Sequence, residues 1–294
     1  MTKNAPPLPP RAQAYDKVAF RTKIARDSAF LLLDGLSGFG MAHADAANIV
    51  QFYDKGRVWL WPAGYMTYAL PEHNVVVVMR NGEGGVDKVP MLADLELNVD
   101  LSRFGAVRST LHNYNGMDWA RNILWAKDRY FLVIDEMIAV APGEYVLQGW
   151  WKAGGSLEGR RLRSGEEVQF QLVSLDDATL SQTTGRHGQP QLRTSQTAAL
   201  EPGDRRVFMT LLQCTATPHT DALDARRLRT SAVALRRGAG EFEVLGSRPL
   251  TGSAELFVQG ELYWLHAAGF ARVNEPRETV LTVSPVIGAQ RQNR

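Results

Sequence analysis

The stretch "GMAHADAANIVQFYDKGRVWLWPAGYMTYALPEHNVVVV", residues 40–78, gathers the residues most able to do chemistry. His43 and Asp45 lie two positions apart, so in an extended segment their side chains share a face. Asn48 follows where an apolar run begins, and His73-Asn74 opens another. Imidazole nitrogens bind metals and exchange protons near neutral pH. The intervening "KGRVWLW" and the Gly64-Tyr65 turn read as one hairpin, which would bring His43 and His73 within reach of one ion. A zinc site needs a third protein ligand. The alternative is that both histidines satisfy backbone groups at strand ends.

Other segments carry weaker signals. "HNYNG" bunches His112, Asn113, Tyr114 and Asn115, planar amides and aromatics of the kind that contact sugar hydroxyls and ring faces, or equally a hydrogen-bonded turn. The seven tryptophans suit carbohydrate platforms, although a β-sandwich buries most of its tryptophans. Asp135 and Glu136 are adjacent at what reads as a strand end and so point to opposite faces, which excludes a catalytic dyad. No "GxSxG" nucleophile elbow is present, and "GEGG" (82–85) lacks the lysine and helix of a phosphate loop. Cys214 sits in "VFMTLLQC" and reads as a buried, inert thiol; one cysteine excludes an internal disulfide.

The elements that must position these residues are strands. Short runs such as "AFLLLDG", "NIVQFYD", "NVVVVMR", "AVRSTLHNY", "RYFLVIDEM" and "RVFMTLLQC" alternate apolar and polar residues at period two and are rich in β-branched and aromatic types. Turn residues separate them at Asp54-Lys55-Gly56, Asn81-Gly82, Lys127-Asp128, Pro142-Gly143 and Pro202-Gly203. No helical period is sustained. The pattern predicts an all-β chain, a large antiparallel β-sandwich of stacked sheets over 18–290. Residues 1–17, rich in proline, read as a flexible tail or linker; a sub-boundary is conceivable at 157–168, and the polar segment 174–200 suggests long loops.

Bulk properties narrow the partners. With 294 residues, 45% hydrophobic and 22% charged, the chain suits a large core. A net charge of +2 argues against a nucleic-acid partner. No run approaches the roughly 18 apolar residues of a membrane span, and the N-terminus lacks the apolar core of a signal peptide.

The ordered set Gly40, His43, Asp45, Gly64, Tyr65, His73 and Asn74 resembles a run in the β domain of the heparinase II/III-like polysaccharide lyases, which are mostly bacterial. "NYNGMDWARNILWAKDRYFLVIDEM" (113–137) and "LEPGDRRVFMTLL" (200–212) extend the resemblance, which covers most of 18–215. It implies a β-sandwich that works beside an N-terminal α-helical toroid, here missing, in the periplasm or outside the cell. It implies β-elimination on an acidic polysaccharide of glycosaminoglycan or alginate type. His43, Tyr65 and His73 would be catalytic, and Asp45, Asn74 and the 112–115 group would support substrate. Zinc or another divalent metal would rest on His43 and His73. The sequence departs from the family at two places: Met41 stands where a carboxylate-neutralising histidine is expected, and Pro62 (or Trp61) where a metal-binding aspartate is expected. These departures favour the rival expectation, a noncatalytic carbohydrate-binding or scaffold module.

Overall fold

The computed structural model describes residues 12–37, 45–61, 69–84, 92–100, 104–216, 223–229, 232–237, 241–248, 253–258, 261–266 and 269–273. In chain order the strands are β1 (Lys17–Arg21), β2 (Phe30–Asp34), β3 (Ile49–Asp54), β4 (Arg57–Leu60), β5 (Val76–Arg80) and β6 (Glu83–Gly84). Next come β7 (Asp94–Asp100), β8 (Phe104–Tyr114), β9 (Met117–Ala126), β10 (Tyr130–Ala139) and β11 (Gly143–Trp151). They continue as β12 (Ser156–Glu158), β13 (Arg161–Ser164), β14 (Gln169–Ser174), β15 (Thr179–Thr184), β16 (Pro190–Leu200) and β17 (Arg205–Thr215). The last are β18 (Asp224–Arg229), β19 (Ala232–Arg237), β20 (Glu241–Arg248), β21 (Ser253–Val258), β22 (Glu261–His266) and β23 (Gly269–Val273). A single 3-10 turn, Leu70–Glu72, interrupts the strands among the described residues. The all-β, antiparallel reading therefore holds.

The strands form four sheets: β1-β2-β3-β4, the eight-stranded β12-β13-β14-β17-β10-β9-β8-β7, the five-stranded β15-β16-β11-β5-β6, and β18 to β23 in order. The eight-stranded sheet is central, because its strands are apolar on both faces. On β10, Leu132 and Ile134 join a core with Leu223, Val233 and Leu235 of the β18–β19 region. Phe131 and Val133 point the other way, into a core with Leu31, Leu33, Ile49 and Phe52 of the four-stranded sheet. At its far end that same face meets Val76, Val78 and Leu147 of the five-stranded sheet through Leu111, Trp119 and Met137. Trp125 stacks on Phe131 at 5.5 Å while Phe20 meets both edge-on, and each such pair adds about 0.5–1.5 kcal/mol to simple burial.

The turn chemistry follows the sequence. Lys55-Gly56, Asn81-Gly82 and Asn115-Gly116 all hold positive φ, the conformation that two-residue hairpin turns require. Three boundaries differ from expectation. Segment 174–200 forms the β15–β16 hairpin rather than long loops, because its threonines and serines are the solvent face of strands. Residues 157–168 lie within a hairpin of the central sheet, continuous with β14, so they mark no boundary. Ordered pairing also reaches into the predicted tail, where Ala14 bridges Asp94 and the Tyr15 hydroxyl meets Ser109 Oγ at 2.6 Å.

Candidate functional site

The four- and five-stranded sheets lie side by side on one face of the central sheet, and their seam is where Asp45, Asn48, His73 and Asn74 meet. Asp45–Asn48 forms the turn leading into β3, closed by the Asn48 N–H donating to Asp45 O at 3.0 Å. Ala47 there holds φ of +64°, a left-handed conformation that costs a non-glycine residue on the order of 1 kcal/mol or more. His73 ends the 3-10 turn and Asn74 leads into β5.

His73 Nδ1 lies 3.1 Å from Asp45 Oδ2. The Asn48 amide donates to that same oxygen at 2.8 Å, while its Oδ1 accepts the Asn74 N–H at 2.9 Å. Asp45, Asn48, His73 and Asn74 are 3%, 2%, 1% and 0% exposed, so the pair is shielded from solvent screening. With Asp45 as acceptor, Nδ1 carries a proton, and chemistry at this ring would run through Nε2. Asp45 Oδ1 is buried and lacks a hydrogen-bond partner among the described residues.

Asn74 is a joint between sheets. Its amide donates to Ile49 O at 2.8 Å and its Oδ1 accepts the Lys152 N–H at 2.6 Å. Beneath it, Arg121 on β9 donates from one Nη1 to the carbonyls of Ala47 and Asn74, 2.7 Å each. Its other nitrogens reach Asp135 on β10 at 2.7 and 3.0 Å, and Trp119 Nε1 donates to the same carboxylate at 2.9 Å. The guanidinium lies 4.9 Å above the Trp119 ring. Asp135 is thus mid-strand, not at a strand end, and Glu136 on the opposite face pairs with Arg108 at 3.1 Å. They do point apart, as expected.

Beside this cluster, Lys152 approaches Glu72 at 3.7 Å, and burial lowers the lysine's pKa despite the carboxylate. Glu72 also accepts from the Arg186 N–H at 2.7 Å and from Gln189 Nε2 at 2.5 Å, tying the β15–β16 tip to the 3-10 turn.

Of the residues singled out from sequence, the structure brings Asp45, His73 and Asn74 together. His43 and Tyr65 lie outside the described residues, as do Met41, Pro62 and Gly64. The 112–115 group is the end of the β8–β9 hairpin, and the side chains of His112, Tyr114 and Asn115 have structural partners while Asn113 is exposed. Tyr114 is 1% exposed, and its hydroxyl accepts the Val78 N–H at 3.2 Å. Asn115 donates to Val78 O at 2.8 Å, and the Asn113 N–H is held by Asp118 at 2.8 Å. His112 sits between Asp94 at 3.1 Å and Asp118 at 3.6 Å. Its pKa is raised to about 9 by Asp118 first and, against burial, by Asp94. Trp59, Trp119, Trp125, Trp150 and Trp151 are buried, so their platform role falls away. Cys214 is buried, which raises its thiol pKa.

Arg121, Lys152 and Glu72 were not marked by motif. Arg121 was nonetheless visible in outline, as a charge at an inward position between Trp119 and Ile123.

A metal would need more than these residues. Among the described residues no group of three histidine, cysteine or acidic side chains converges for an ion. His73 with a carboxylate on Nδ1 does match the arrangement that orients metal-ligating histidines. The unpaired Asp45 Oδ1 belongs to the carboxylate that holds Nδ1, on the side of the ring away from Nε2, so it adds no second ligand to an ion there.

No family model and no curated protein matches the sequence. Solved structures do match the fold. A heparan sulfate lyase from Pedobacter heparinus superposes with a TM-score of 0.61 at 14% identity, over 94% of this chain and 43% of that one. A heparinase III gives 0.60 at 12% identity, over 86% and 41%. Another heparinase III gives 0.59 at 13%, over 80% and 41%. The chain thus has a heparinase II/III-like β-sandwich fold, and it spans about two fifths of the length of the proteins it matches. No helix among the described residues is long and apolar enough to cross a membrane.

Proposed function

We propose that this chain is the β-sandwich portion of a polysaccharide lyase that cleaves uronate-containing glycans by β-elimination, acting beside a helical toroid in the periplasm or outside the cell. The observation that carries this reading is the buried Asp45–His73 pair, held at a sheet seam by Asn48, Asn74 and Arg121. A histidine oriented by a carboxylate is the usual equipment for moving a proton or holding a metal, and a strained Ala47 beside it fits a site where position matters more than stability. β-Elimination needs the proton next to the uronate carboxylate removed while the developing charge is stabilised. In this reading His73, with His43, either carries the proton or holds a divalent ion that would neutralise the carboxylate. Tyr65 would act at the leaving oxygen.

A second reading has its own observation. Met41 and Pro62 offer neither charge nor metal ligand at the positions where the resembled family has them. A sandwich that kept the Asp45–His73 pair for stability and binds glycan without cleaving it accounts for that.

The test is to join the chain to its helical partner domain and incubate it with heparan sulfate, alginate and a neutral glucan. The lyase reading expects near-ultraviolet absorbance from a conjugated product on a uronate polymer only. Absence of that signal on every uronate polymer, with glycan binding retained, would establish the second reading instead.

A further inference from the structure

The outward face of the four-stranded sheet carries a feature that the seam does not explain. Strand register places Arg21 opposite Phe30, Phe30 opposite Tyr53, and Tyr53 opposite Val58. A cation, a phenyl ring, a phenol and an exposed valine therefore form one row across all four strands. The connection between β1 and β2 folds over this row. Tyr53 Oη donates to Arg26 O, Thr22 Oγ1 donates to Asp128 Oδ1 at 3.1 Å, and the Ser28 N–H donates to Ala25 O at 3.2 Å. Between strap and strands runs a groove of about 420 Å³ lined by Arg21, Ile24, Ala25, Arg26, Phe30, Gln51 and Tyr53.

We infer that this groove is an accessory subsite for an acidic saccharide segment, separate from the His73 centre. Two arginines line it and, among the described residues, no acidic side chain does. The nearest strap carboxylate, Asp27, faces Lys23 at 3.9 Å. Arginine forks match carboxylate and sulfate oxygens. The Arg21 guanidinium already rests over the Phe30 ring, 4.7 Å from its centre. Tyr53 supplies a ring face for a pyranose, and the Gln51 amide supplies both a donor and an acceptor for hydroxyls. Ile24 is 91% exposed on the rim, so a polymer can enter and leave along an open side.

Gln51 is three residues along β3 from Asn48, which touches both Asp45 and His73, so the two sites are separated by roughly 10 Å of strand. The inference takes from the proposed function only that the ligand is an acidic glycan. A chain gripped here could present a neighbouring part of itself to His73.

The test uses the 294-residue chain and fluorescently labelled hexasaccharides of heparan sulfate, of alginate and of a neutral glucan. Both arginines are exposed, so Arg21→Gln and Arg26→Gln should leave melting unchanged. The expected result is tight binding of an acidic hexasaccharide, no binding of the neutral one, and about tenfold weaker binding for each arginine removed. Arg57→Gln, which removes an exposed arginine outside the groove, should bind as the wild type does. Loss on both acidic ligands identifies carboxylate as the anion recognised; loss on heparan sulfate alone identifies sulfate. Equal affinity in the wild type and the double arginine variant, or no binding by the wild type, would overturn the subsite. The lyase reading fails separately: groove variants that lose binding in a protein that never yields an unsaturated product leave the subsite standing without it.

Discussion

Asp45 and His73, far apart in sequence, meet through a carboxylate–imidazole contact of 3.1 Å with both side chains buried at the seam of two sheets. The contact depends on Asn48, which donates to the same carboxylate oxygen and accepts the Asn74 N–H. Asp45→Asn keeps the shape but removes the charge that orients the ring. In a catalytic or metal-binding site this costs about 10- to 100-fold in activity or metal affinity. Metal content per chain and the rate of glycan cleavage, measured beside the melting temperature, separate that outcome from simple unfolding.

Arg121 and Asp135 set the stability of the seam. Removing one partner strands the other as a buried charge, so Arg121→Met should lower the unfolding free energy by about 3–5 kcal/mol. Arg121→Met combined with Asp135→Leu should be less harmful than the single change, since no lone charge remains. Urea denaturation of the wild type, Arg121→Met, Asp135→Leu and the double variant checks this. A double variant as unstable as the sum of its parts would mean that the hydrogen bonds to Ala47 and Asn74 carry the energy instead of the ion pair.

His112 predicts a pH dependence. Its folded pKa, raised to about 9, lies above the usual value near 6.5. The imidazolium between Asp94 and Asp118 therefore contributes fully below about pH 6.5, and its contribution is lost as pH rises through about 9. The side chain is 32% exposed, so solvent screening limits the effect to about 1 kcal/mol. Comparing the stability of the wild type and His112→Gln should show a gap at pH 6 that closes by pH 10.

The hairpin turn at Asn115-Gly116 offers a backbone test. Gly116 holds φ of +84°, and a Cβ there would sit 2.7 Å from the Tyr145 hydroxyl and 3.1 Å from Arg80. Gly116→Ala should cost about 2 kcal/mol, while Gly82→Ala, with a similar φ and open space around it, should cost about 1 kcal/mol. Thermal melts of both variants give the comparison.

The strands were legible because period-two patterning and paired turn residues are local signals. β8, β9 and β10 follow directly from "AVRSTLHNY", "NILWAK" and "RYFLVIDEM". Segment 174–200 misled because an edge hairpin with a polar outer face has the composition of a loop. At the site, the meeting of Asp45 and His73 depends on how two separate sheets abut, which no local pattern encodes. Arg121 shows the middle case. It alternates with Trp119 and Ile123, a pattern that marks an inward charge, but its partner carbonyls, Ala47 and Asn74, come from the other sheets. Tyr114 and Asn115 had the composition of a sugar-binding loop, and the two-residue turn turned both toward β5 instead.

The most direct measurement is the rate at which the chain, joined to the proposed helical partner domain, forms unsaturated ends on heparan sulfate or alginate, compared between wild type and His73→Ala. The account predicts measurable product from the wild type and a loss of at least about 100-fold in the variant, with the fold intact by circular dichroism. Cleavage by His73→Ala at the wild-type rate would contradict it, because the buried Asp45–His73 pair would then serve the fold and not the reaction.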